Sequence, residues 1–164
     1  MKLNLLKILR SPQMKMPLDI VNEEYQKGEV NSGYLINSKN DKKYPIINSI
    51  PRFVVLDNYA NNFGFQWNHF KKTQLDSYSG HPISSDRFYS STNWQKKDLE
   101  NKWVLDIGCG SGRFAEVALE AGAILVALDY SNSVDAALDN LRSYDNFHIV
   151  QGDIYNLPFR KESF

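Results

Sequence analysis

The sequence predicts an α/β chain: part of a parallel sheet with helices on both faces, preceded by a small, irregular, β-rich N-terminal module. Three observations carry this. From residue 102 onward, short apolar runs (103–107, 124–128 and 147–150) alternate with stripes of helical spacing. Near-continuous apolar strands alternating with helices imply parallel strands joined by right-handed crossovers. A turn with three glycines at alternate positions, in VLDIGCGSGRF (104–114), links the first of these strands to the first helix. Residues 1–50, by contrast, are rich in Asn, Ser, Lys, Gly and Pro, with short apolar bursts at Tyr34-Leu35-Ile36 and Pro45-Ile46-Ile47. Bursts between turn residues predict small strands. Together these features describe a partial Rossmann-like domain behind a separate module.

Taken in order, the start MKLNLLKILRSP interrupts its apolar residues with lysines. It lacks the long apolar centre and small-residue cleavage site of a signal peptide, and predicts a short strand or helix packed on the domain. The expected organisation is a module over 1–56, a covering and helical segment over 57–101, and the sheet domain over 102–164. Within the second segment, FGFQWNHF (63–70) is aromatic, 71–93 is polar and Ser-rich, and a short helix is expected around 94–101. Trp103–Ile107 reads as a buried strand. Phe114, Val117, Ala118 and Ala121 form the stripe of an amphipathic helix that Gly122 terminates. Residues 124–128 form a second strand closing in Asp129. Ser131 or Ser133 caps a second helix with the stripe Val134, Ala137, Leu138 and Leu141. Residues 147–150 form a third strand, followed by Gln151-Gly152-Asp153.

Composition narrows the function classes. The chain has 164 residues with 19 Lys+Arg and 19 Asp+Glu, so its formal charge is zero. That argues against nucleic acid or an anionic membrane as partner. No apolar run approaches the ~20 residues of a membrane span. One cysteine, Cys109, excludes an intrachain disulfide and a cysteine-based zinc site within one chain. This suits a reducing, cytoplasmic setting. No metal-ligand spacing occurs anywhere, so no metal is expected.

The chemistry lies where ligands bind in open parallel sheets, beyond the carboxyl ends of the strands. The loop Gly108-Cys109-Gly110-Ser111-Gly112 clears side chains from the backbone and feeds a helix N-terminus. Asp129 can accept both hydroxyls of a ribose, or cap the following helix. Asp153 is placed to reach an adenine edge. Two nucleotide ligands fit this pattern. The dinucleotide fingerprint G-x-G-x-x-G is departed from here: the third glycine falls one place early, and Arg113 occupies its position. Asp106, two residues before the first glycine, would repel a pyrophosphate and suits an ammonium group. An adenosyl ligand with an amino-acid end therefore matches better.

The motifs VLDIGCGSGRF, ALDYS and GDIYNLPF resemble those of class I S-adenosylmethionine-dependent methyltransferases over about residues 60–164. The resemblance implies S-adenosyl-L-methionine as cofactor. It places Asp106, Gly108 and Gly110 around the methionine part, with Cys109 tucked under the loop. It puts Asp129 on the ribose, Tyr130 against the adenine, and Asp153 with Ile154 at the adenine edge. The upstream FGFQW…DRF is similar to a segment that covers the cofactor in such enzymes. By that likeness Trp67 belongs to the cover and Arg87 pairs with the cofactor carboxylate; the alternative is a packing aromatic and a surface arginine. YPIINSIPRFV (44–54) resembles a small zinc-ribbon-like module that accompanies some methyltransferases. Its paired cysteines are absent here, so it is expected to hold together without zinc.

Methyl transfer from a sulfonium is an in-line displacement that positioning alone can accelerate strongly. No general base is evident, because His69, His81 and His148 are isolated in the sequence. The chain ends at LPFRKESF, before a fourth strand that in such domains lies beside the first. The expectation is a cofactor-binding half that does not turn over alone, lacking a C-terminal half or a partner chain. The acceptor is unspecified. A nicotinamide-type nucleotide domain and a non-catalytic binding protein that kept the fold are the alternatives.

Overall fold

The computed structural model describes residues 1–37, 39–55 and 69–164. The chain opens with a one-turn helix, α1 (Leu3–Leu6), and then forms β1 (Asp19–Gln26), β2 (Glu29–Asn37), β3 (Asn40–Ile47) and β4 (Ile50–Pro51). These pair antiparallel in the order β1-β2-β3-β4. Their turns explain the order. Lys27 and Gly28 both have positive φ, as do Asn48 and Ser49, which is the geometry of two-residue hairpin turns. In β2 the period of two is visible: Leu35 and Asn37 point inward while Tyr34 is exposed. The first three strands run eight or nine residues, longer than the apolar bursts at 34–36 and 45–47. β1 is mostly exposed, so hydrophobic pattern could not mark it.

A second sheet is parallel: β5 (Trp103–Ile107), β6 (Ile124–Asp129) and β7 (Phe147–Gln151), in the order β5-β6-β7. The crossovers are α5 (Arg113–Glu120) and α6 (Ser133–Leu141). One sheet face, with Leu125, Ala127, Phe147 and Ile149, packs against Ala115, Val117, Val134 and Leu141 of the helices. The other face, with Val126, Leu128 and Val150, packs against Met1, Leu5, Leu9, Leu35 and Ile46. The first fifty residues thus cover one face of the parallel sheet and share its core. They also meet the sheet edge to edge. Arg52 forms a parallel bridge with Gln151, and Phe53 N–H donates to the Gln151 carbonyl at 2.8 Å. Among the described residues β6 is central, and β5 is hydrogen-bonded along one edge only.

Between the sheets lie α2 (Asp76–Ser79), α3 (Ile83–Thr92) and α4 (Lys96–Leu99). α4 falls within the helix expected at 94–101. α3 falls within the polar stretch 71–93, where pattern gave no helix. Its inward face is only Ser84 and Phe88, and Phe88 packs on Tyr89, Trp94 and Phe114. A single large apolar residue is too little stripe to read from sequence.

Candidate functional site

The turn after β5 is stitched to the neighbouring strand. Gly108 and Cys109 N–H both donate to the Leu128 carbonyl, at 2.7 and 3.2 Å. Gly108, Gly110 and Gly112 have φ of +76°, +53° and +98°. Their roles differ. A Cβ on Gly112 would lie 2.6 Å from Cδ1 of Leu141, a fully buried side chain. Gly112 therefore lets the loop pack onto α6. A Cβ on Gly108 would meet nothing within 4 Å. Gly108 borders a groove of about 520 Å³ at the carboxyl ends of all three strands. Ile107, Gly108, Leu128, Asp129, Tyr130, Gly152, Asp153, Ile154 and Tyr155 line it. Gly108 also borders a second pocket of about 170 Å³, lined by Gln74, Arg87, Cys109, Gly110, Ser111, Arg113 and Phe114. The two hollows flank one glycine.

The acids divide their work. Asp129 closes β6 at the groove, and its carboxylate is already engaged. Oδ2 accepts from Gly110 N–H at 3.0 Å, and Oδ1 accepts from Ser131 N–H and the Ser131 hydroxyl at 2.9 and 2.8 Å. A carboxylate offers about four lone-pair sites, so roughly one remains, on Oδ2. Asp106 sits on β5 beneath the loop, and its Oδ2 is buried with no hydrogen-bond partner. Burial, with the Asp129 charge as a second cause, pushes its pKa up to about 6. Asp153 lines the groove and caps the following 3-10 turn (Ile154–Asn156), its Oδ1 accepting from Tyr155 N–H at 2.9 Å. Ile154 and Tyr155 are 54% and 91% exposed, an apolar rim facing solvent.

Cys109 is buried under the loop, where burial and the charges of Asp106 and Asp129 push its thiol up. That is the environment of an inert thiol. His148 is buried on β7, stacked on Trp103 at 5.6 Å, and burial, with Lys2 and the N-terminus, lowers its pKa to about 4. It does not line the groove. Among the described residues, no cluster of three or more His, Cys, Asp or Glu gathers to hold a metal.

The structure brings Gly108, Asp129, Tyr130, Asp153 and Ile154 to one groove, and Cys109, Gly110 and Arg87 to the adjoining pocket. Trp67 lies outside the described residues. Sequence reasoning missed Gln74 and the site role of Arg113. Arg113 Nε donates to the Ser84 hydroxyl at 3.0 Å, which donates to the Gln74 carbonyl at 2.8 Å. Asn140 was also missed: its Nδ2 donates to the carbonyls of Lys71 and Ser111, at 2.7 and 2.9 Å. These bonds tie the covering segment to the glycine loop. Arg113 directly follows the loop, which was a signal; Asn140 offered none.

Residues 105–164 match the family described as methyltransferase domain. A curated relative, the cypemycin N-terminal methyltransferase of a Streptomyces species, is 36% identical over 63 residues, covering 38% of this chain and 26% of that protein. Among solved structures, Arabidopsis thaliana protein arginine methyltransferase 10, in an open conformation, aligns with TM-score 0.43 and 21% identity. That alignment covers 57% of this chain and 26% of the other. The chain thus spans about a quarter of the length of each. Residues 105–164 are thus similar in sequence to a methyltransferase domain, and they lie on a parallel sheet of Rossmann-like arrangement.

Proposed function

We propose that this chain binds S-adenosylmethionine across Gly108 and serves methyl transfer to an acceptor of unspecified class. The observation that carries the reading is the pair of hollows flanking a glycine at which a Cβ would meet only open space. The residues present fit such a group. The buried, unpartnered Oδ2 of Asp106 needs a positive or hydrogen-bonding neighbour. Arg87 lines the adjoining pocket with Cys109 and Gly110 and suits a carboxylate. The remaining acceptor site of Asp129 is available to a ribose hydroxyl, and Tyr130, Asp153 and Ile154 offer a face and an edge to the adenine.

When bound, the cofactor supplies a methyl on a sulfonium sulfur, a neutral leaving group once the methyl departs. The chain's own residues hold and orient. The glycine loop lets a ligand lie against backbone, Asp129 fixes the sugar, and Asp106 and Arg87 fix the two charges of the amino-acid end. Among the described residues no histidine lines the groove, and transfer from a sulfonium can proceed by positioning alone. A cytoplasmic setting and an acceptor pocket contributed by a further segment or a partner chain belong to this proposal.

Calorimetric titration with S-adenosylhomocysteine and with NAD tests it. Saturable binding of the first and none of the second is expected. Preference for NAD, or blindness to both, overturns the reading in favour of the dinucleotide or the non-catalytic alternative.

A further inference from the structure

Arg52 belongs to the N-terminal segment, 99 residues before Gln151 in sequence, yet it is 4% exposed against the end of β7. Its guanidinium forks. One amine donates to Gln151 Oε1 at 2.8 Å and the other to Asp135 Oδ1 at 2.7 Å. Gln151 is itself fully buried, and its own Nε2 donates to the Tyr130 carbonyl and to Asn132 Oδ1, both at 3.1 Å. The next residue, Gly152, donates its N–H to the Asp129 carbonyl at 2.9 Å. Every link is made by a side chain or backbone with a fixed direction, from the antiparallel sheet to the two strand ends that line the groove.

We infer that Arg52 is a positioning residue for the nucleoside half of the groove: the N-terminal segment sets the Tyr130 loop through the Arg52–Gln151 pair. The inference rests on the cofactor reading above and adds a part of the chain outside the methyltransferase match, which begins at residue 105. Guanidinium geometry matters here, because a lysine is a point charge and cannot serve two acceptors in a planar fork. An amide at 151 is equally specific. It accepts from Arg52 and donates to the loop, whereas a carboxylate could only accept.

The test uses Arg52→Lys, Gln151→Glu and the double variant, titrated with S-adenosylhomocysteine and with 5′-methylthioadenosine, which lacks the amino-acid end. Gln151→Glu keeps the arginine link and cuts the loop link. Each single variant is expected to weaken both ligands by a similar factor, about tenfold, the scale of one buried charge-assisted bond. The double variant is expected to be no weaker than the worse single one, because both changes break one chain of contacts. Leu9→Ala, which loosens the same segment away from the groove, is expected to lower thermal stability without this affinity loss. If Arg52→Lys fails to fold, Gln151→Glu decides alone. Wild-type affinity in the singles, losses that multiply in the double, or an equal loss in Leu9→Ala overturns the inference. A wild-type chain that binds neither nucleoside overturns the cofactor reading instead.

Discussion

At the scale of single residues, two glycines of one loop answer to different physics. Gly112→Ala forces a Cβ against the buried Leu141 and strains a φ of +98°. A loss of about 1–3 kcal/mol in unfolding free energy is expected, measured by chemical denaturation. Gly108→Ala meets open space and pays only for its φ of +76°, about 1 kcal/mol. Its cost is expected to fall on S-adenosylhomocysteine affinity. Asp106 shows the opposite balance. Its pKa, raised to about 6 in the folded state, means the native protein holds a proton that the unfolded chain has lost. Its contribution to stability is therefore fully present below pH ~4 and is lost as pH rises through 6. Asp106→Asn is expected to flatten that fall and to be about 1–3 kcal/mol more stable than the parent at pH 8, seen as a higher melting temperature. Cofactor-analogue binding is expected to weaken in the same variant, since the charge that destabilises the empty fold is the one proposed to hold an ammonium.

Among elements, α3 is the one that local sequence least predicts. Its start is held from outside. Asp76 accepts the N–H groups of Ser84 and Ser85, at 2.9 and 2.8 Å. Burial works against its charge, yet these donors and nearby Arg113 hold its pKa below the usual carboxylate value. The acid thus caps a helix that begins seven residues after it. Asp76→Ala is expected to cost about 1 kcal/mol, as helix caps do. Faster amide exchange at residues 84–86 than in α5 is the specific sign. Because α3 presents Ser84 to Arg113 and Arg87 to the pocket, the same variant is expected to loosen the rim of the glycine loop. The parallel strands and their crossover helices were legible from the 103–150 periodicity alone. Their apolar positions face one core each, and alternation within β6 sends Leu125 and Ala127 to one side and Val126 and Leu128 to the other.

For the whole molecule, the N-terminal segment and the parallel sheet share one core and are expected to unfold as one cooperative unit. Leu9 is fully buried in the core they share, and its backbone bridges Phe159. Leu9→Ala is expected to cost about 2–5 kcal/mol. It is expected to lower a single transition, with the two sheets losing structure together when followed by hydrogen exchange. Two separate transitions would show the sheets to be independent.

Sequence by itself determined the strand–helix alternation after residue 102, the glycine loop, and the acids at the strand ends, because each depends on neighbours within a few positions. It also placed Cys109 beneath the loop rather than at a reactive surface. Tertiary structure alone decided which face of the parallel sheet the first fifty residues cover, and that Arg52 reaches Gln151. It alone decided that Asp129 spends most of its lone pairs on Gly110 and Ser131. Those facts depend on contacts between residues far apart in the chain, and pairing at that distance is set by packing, which leaves no period or spacing to read.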